Sequence, residues 1–185
     1  MNTMSSVRRA SVCAMCIALC YVLPLAFHAL AAGSMLSPMH IPVLLCGIIC
    51  GPGYGVFCGI AGPVLSSVLS GMPSATGLIA MVPELLTYGL VCGLLMKRIH
   101  TKKLMLDIYI SMIPAMILGR LVGGAADALF YLGTTGEYSV SIFISSYLVG
   151  SLPGIAMQLI LVPTLTLTLE KARAIPARYP KTKQE

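Results

Sequence analysis

Lys97-Arg98-Ile99-His100-Thr101-Lys102-Lys103 separates two apolar runs, Thr76 to Met96 and Leu104 to Leu132, and its reading decides the fold. A helix crosses about 30 Å of hydrocarbon with about 20 apolar residues, and each run meets that length. The basic stretch is therefore a short connection on one face of a membrane. Lys and Arg in such connections mark the cytoplasmic side. Composition agrees: of 185 residues 57% are hydrophobic and 10% charged, with a mean hydropathy of +0.92. Those values describe a polytopic membrane protein and not a soluble core.

Working outward, the remaining basic clusters are Arg8-Arg9 near the start and Lys171 to Lys183 at the end. The segments between them predict an all-α integral membrane protein of six transmembrane helices. The first runs from about Arg9 to Ala31 and a short second from Met39 to Cys50. The third covers Gly55 to Ser70, the fourth Thr76 to Met96, the fifth Leu104 to Leu132 and the sixth about Ser139 to Leu169. Gly51-Pro52-Gly53-Tyr54 reads as a turn, and Ser70-Gly71-Met72-Pro73 as a break. An even number of spans puts both termini and the central loop on one side, N-in and C-in, and no Lys or Arg falls in an expected external connection. The expected organisation is a cytoplasmic N-terminus over 1–8, one membrane domain over 9–170 and a basic cytoplasmic tail over 171–185, in the plasma membrane. The second segment is the weak span: about a dozen residues rise only about 18 Å. It is expected to be tilted, broken at Pro42 or re-entrant.

Two features invite other readings. Arg8-Arg9, an apolar run and Ala29-Leu30-Ala31-Ala32 resemble a signal peptide, but the run from Val12 to Ala32 is longer than a secretory core and reads as the first helix. The formal net charge of +6 sits beside apolar segments, so it marks topology, and nucleic acid is not an expected partner. Cys13, Cys16, Cys20, Cys46, Cys50, Cys58 and Cys92 lie in apolar runs and read as small buried packing residues.

Arg120 is the one basic residue inside an apolar segment. Burying a guanidinium there costs about 2.5–3.5 kcal/mol on insertion scales, so it marks a site. Seventeen residues beyond Lys103, it lies about 25 Å along the helix, past the midplane. Glu84 reaches a similar depth on the preceding helix, and the two either neutralise each other or share a polar interior. Asp127 and Tyr131 follow Arg120 on one helix face with Gly124 between. Tyr88, four residues from Glu84, presents a ring and a hydroxyl to the same space. Gly123-Gly124 serves either close helix packing or ligand approach. His40 is placed near the external entrance, as a loop residue or a ligand contact. Gln158 is an amide in an apolar helix, either a packing residue or a ligand contact.

Glycines at four-residue spacing (Gly47 and Gly51, Gly55 and Gly59, Gly89 and Gly93, Gly119 and Gly123) let helix backbones approach closely. Seven prolines, Pro24, Pro42, Pro63, Pro83, Pro114, Pro153 and Pro163, lie inside the expected helices. Ala10, Ala14 and Ala18 form a flat stripe on the first helix, a docking face for another helix of the chain or for a partner. This stripe, together with Met39-His40-Ile41-Pro42-Val43-Leu44-Leu45-Cys46-Gly47, the Gly53-Tyr54-Gly55 turn and Pro83-Glu84-Leu85-Leu86-Thr87-Tyr88-Gly89, resembles the substrate-binding S components of energy-coupling factor (ECF) transporters. The resemblance covers nearly the whole chain.

The resemblance implies a high-affinity vitamin-binding subunit that docks on a transmembrane T subunit through Ala10, Ala14 and Ala18. Two partner ATPases would then energise delivery of the vitamin inward. It implies no cofactor and no metal for this chain, and the absence of a Gly-x-x-x-x-Gly-Lys-Ser/Thr loop agrees that ATP is hydrolysed elsewhere. A guanidinium suits a ligand carboxylate, so pantothenate leads, with folate, pyridoxine and riboflavin open. An intramembrane enzyme is disfavoured because Ser66, Ser67 and Ser151 lack a membrane-embedded His partner. A self-sufficient secondary transporter or channel is the remaining alternative, though no internal repeat supports it.

Overall fold

A computed structural model describes residues 4–29, 38–134, 150–176 and 178–179. These form α1 (Ser6–Ala29), α2 (His40–Cys50), α3 (Pro52–Ser70), α4 (Ala75–Arg98), α5 (Leu104–Thr134) and α6 (Leu152–Lys171), with no strand among the described residues. Five of the six are long and apolar enough to cross a membrane; α2, with 11 residues, is not. The outward faces of the long helices are apolar too, with Val68, Leu129 and Ile160 exposed. An apolar exterior of this kind is what a lipid solvent requires, and the chain is a multi-pass membrane protein.

The short α2 is explained by its place. It packs against α1, α3, α4 and α6 at once, and all its residues are buried except Ile49, which is partly so. A segment enclosed on all sides does not need the full hydrocarbon length. Glycines set how tightly it sits. A Cβ on Gly47 would meet Gly89 O at 2.9 Å, one on Gly55 would meet the same carbonyl at 2.6 Å, and one on Gly59 would meet Leu85 O at 2.7 Å. Gly47 and both members of the Gly55–Gly59 and Gly89–Gly93 pairs thus make backbone contacts that join α2, α3 and α4. Gly51 is the exception: nothing lies within 4 Å of its Cβ position, and its φ of 94° makes it the hinge between α2 and α3.

Thiols line the seam between α1, α2 and α3. Cys13 Sγ and Cys46 Sγ both donate to Tyr54 O, at 3.6 and 3.4 Å, and Cys20 Sγ donates to Met39 O at 3.7 Å. All seven cysteines are buried, as packing residues should be. Ala10, Ala14 and Ala18 lie on a separate, exposed face of α1, turned away from Cys13, Cys16 and Cys20.

Several expectations need correction. Gly51-Pro52-Gly53-Tyr54 is not a four-residue turn, because Gly51 alone makes the bend. Pro52 takes the first helical position, where its missing N–H leaves nothing unsatisfied. The sixth helix is not continuous: Gly150 and Ser151 form a turn and α6 begins at Leu152, with Pro153 in its first turn. The expected start at Ser139 lies outside the described residues. Pro42 also sits in a first turn and not in a helix interior. Beyond α6, the described residues of the tail fold back on the bundle, a contact that the sequence reading did not anticipate. Arg178 pairs with Asp107 (Nε to Oδ2, 2.9 Å), the Tyr179 hydroxyl donates to the same oxygen at 2.5 Å, and Arg178 also donates to Met96 O and Ile99 O. Arg8 of α1 donates to Arg173 O and Ala174 O at 3.1 and 2.7 Å. The tail is a clasp across one end of the bundle. Met4, Cys50, Pro52, Lys97, Leu104 and Glu170 gather at that end around one cavity.

Candidate substrate site

Away from the clasp, α4 and α5 carry the polar interior. The α4–α5 connection makes them antiparallel, and their residues interlock in that register. A Cβ on Gly119 would run into the Tyr88 ring, and one on Gly123 would meet Glu84 Cβ at 2.9 Å. Glycines spaced by four on α5 therefore receive the two side chains spaced by four on α4. The space beside Gly123 is filled by Glu84, which decides that glycine's role as packing. Gly124 is buried next to it.

Glu84 is the hub. Its Oε1 accepts the Tyr88 hydroxyl at 2.9 Å, lies 3.3 Å from His40 Nε2 and lies 4.0 Å from Arg120 Nη1. The His40 and Tyr88 rings pack with centroids 5.2 Å apart. All four residues are buried, Tyr88 completely. The Glu84 carboxylate can persist in an apolar interior because three groups of matching character converge on it. Chemically it offers a carboxylate, a phenol, an imidazole and a guanidinium, enough to recognise a ligand that carries both an acid and hydrogen-bonding groups.

Of the two readings of His40, the loop residue is corrected, because His40 is a helix residue. It opens α2 and is buried against Glu84 of α4. Glu84 lies thirteen residues from Lys97, about 20 Å at helical rise, and Arg120 sixteen beyond Leu104, about 24 Å. The cluster thus occupies the half of the bundle remote from the basic connections. Asp127 continues the Arg120 face but is only partly buried, and Tyr131 is exposed, its ring 5.9 Å from Phe130. The described residues do not bring either against Glu84. Gln158 is wholly buried on α6, and neither its amide nitrogen nor its oxygen has a hydrogen-bond partner among the described residues.

Sequence reasoning missed Asp107. It is fully buried in the first turn of α5, where it accepts Thr101 N at 2.9 Å and Thr101 Oγ1 at 2.6 Å besides its tail partners. A carboxylate in a first turn, just after a basic loop, is the signal that was there to read.

A family model described as "ECF transporter, substrate-specific component" matches residues 8–166, a span that contains α2 to α5 whole, α1 but for its first two residues and α6 but for its last five. No curated protein and no solved structure matches the chain significantly. S components are transport-specific membrane subunits and not enzymes, consistent with a buried polar cluster held by helix packing. The chain belongs to the substrate-specific components of ECF transporters.

Proposed function

We propose that this chain is the high-affinity binding subunit of an ECF-type importer for a small water-soluble vitamin, with pantothenate the leading ligand. Folate, pyridoxine and riboflavin are the other candidates. The observation that carries the reading is the buried Glu84–Tyr88–His40–Arg120 cluster in the half of the bundle remote from the basic end. With the basic end cytoplasmic, both termini are cytoplasmic in the plasma membrane, and the cluster lies on the outward side. α2 counts as the sixth, incomplete crossing. Arg120 provides the bidentate donor for a ligand carboxylate, and Glu84, Tyr88 and His40 provide the groups for its hydroxyl and amide atoms. Gly124, Asp127 and Tyr131 extend the same face outward, and Gln158 adds an amide from α6.

The exposed Ala10–Ala14–Ala18 face of α1 is the surface for the T subunit, since small residues allow a partner helix to approach closely. The chain carries no cofactor, and two partner ATPases supply the energy. Mass spectrometry of the detergent-solubilised chain tests the ligand: pantothenate should co-purify, and Arg120→Gln should abolish its retention. Recovery of riboflavin, or of no vitamin, removes the pantothenate assignment. In the same preparation Ala14→Trp should keep the vitamin yet fail to assemble with the T subunit, and normal assembly would remove the docking face. Uptake into liposomes by the isolated chain, without partners or ATP, would favour a self-sufficient transporter instead.

A further inference from the structure

The cavity at the clasped end is separate from the vitamin cluster and has a different character. Its volume is about 400 Å³, within the range of small-ligand sites at about 300–1,000 Å³. Among the described residues, Arg9 of α1, Lys97 at the end of α4, His100 and Arg178 of the tail line it, against a single carboxylate, Glu170. Arg178 is committed to Asp107, and Glu170 Oε1 accepts Arg178 N at 2.9 Å. Neither the Arg9 guanidinium nor the Lys97 ammonium forms an ion pair among the described residues. Below these cations the wall is apolar, made by Ile48, Ile49, Met96 and Leu104. A cationic mouth over an apolar wall, at the level where the spans end, matches a molecule with an anionic head and a hydrocarbon body.

We propose that this cavity binds the phosphate headgroup of an anionic phospholipid from the leaflet at the basic end, with Arg9 and Lys97 on the phosphate. The glycerol backbone and the first acyl carbons would rest on Ile48, Ile49 and Leu104. The lipid would take up the two unpaired cations and join α1 to the α4–α5 connection, beside the place where the tail clasps them. The chain's own residues 180–185 carry Lys181 and Lys183 as well as Glu185, so they are the competing occupant that truncation after Tyr179 tests. The inference is independent of which vitamin binds and of which leaflet is cytoplasmic.

Native mass spectrometry of the full chain, released from micelles containing equal amounts of phosphatidylglycerol and phosphatidylcholine, tests it. One phosphatidylglycerol should be retained in preference. Arg9→Gln with Lys97→Gln should lower that retention about thirtyfold, roughly fivefold per interfacial cation. Arg98→Gln with Lys103→Gln, exposed cations at the same end that do not line the cavity, should leave it unchanged. Lys97 is exposed, so Lys97→Gln alone, with its roughly fivefold loss, keeps the test valid if the double variant folds poorly. Equal retention of the two lipids, or equal losses in the two double variants, would overturn the proposal. Displacement of the lipid by millimolar inorganic phosphate would also overturn it, by assigning the mouth to a soluble anion. A gain in retention on truncation after Tyr179 would assign the cavity to the tail.

Discussion

At the scale of single residues, the polar interior depends on what Gly119 and Gly123 lack. Tyr88 is fully buried with its ring lying where a Gly119 Cβ would stand, and its hydroxyl holds Glu84 in place. Gly119→Val should therefore destabilise the protein by about 1–3 kcal/mol, the usual cost of overpacking, and should displace Tyr88 from Glu84. Thermal unfolding in detergent and vitamin retention report the two effects, and both should fall together. Gly53→Ala, with nothing within 4 Å of the added methyl, is the matched control and should leave binding intact. A Gly119→Val protein with unchanged melting and binding would mean that Tyr88 does not sit on α5. Arg120, Glu84 and Tyr88 were legible as residues because a charge in an apolar run has to be explained. Their mutual contacts were half-legible, since the four-residue spacing of Gly119 and Gly123 mirrors that of Glu84 and Tyr88. The contact of His40 with Glu84 was not legible, because sequence gives the neighbours of His40 along the chain but not the helix that α2 packs against.

At the scale of elements, the long helices could be read from apolar length, and the observed bounds of α4 and α5 fall within about two residues of those expected. The misses have a common cause: Pro and Gly were read as generic punctuation, whereas their position within a turn decides what they do. Pro52 starts α3, Pro153 falls in the first turn of α6, and Gly51 alone carries the reversal between α2 and α3. Gly51, at φ 94° and ψ 178°, occupies a region that is essentially restricted to glycine. Gly51→Ala should cost about 1–3 kcal/mol although its Cβ would meet nothing within 4 Å. The penalty is backbone strain, so a larger side chain should cost about as much as alanine. Melting temperatures of Gly51→Ala and Gly51→Val that differ widely would indicate a steric cause instead. The tail clasp was illegible for a different reason: Asp107 and Arg178 are 71 positions apart, and a basic terminal stretch looks the same whether it floats or folds back.

At the scale of the whole molecule, the bundle has two separate polar regions. The Glu84 cluster lies in one half, and the Asp107–Arg178–Tyr179 clasp closes the other. Between them α2 acts as the pillar, touching α1, α3, α4 and α6. That position has a consequence for the order in which the protein is made. An 11-residue helix is too short to settle across a bilayer unaided, and the helices that sheathe it, α3, α4 and α6, all emerge from the ribosome after it. During synthesis α2 must wait unsheathed, and its burial records a late event in biogenesis. Cys46, fully buried in the finished protein, dates that event. In a variant retaining Cys46 as its sole cysteine, ribosome-bound chains ending before Ala75 should react with a maleimide, and chains carrying all of α4 and beyond should be progressively protected. Protection already complete in the shorter chains would mean that α1 and α3 suffice to enclose it.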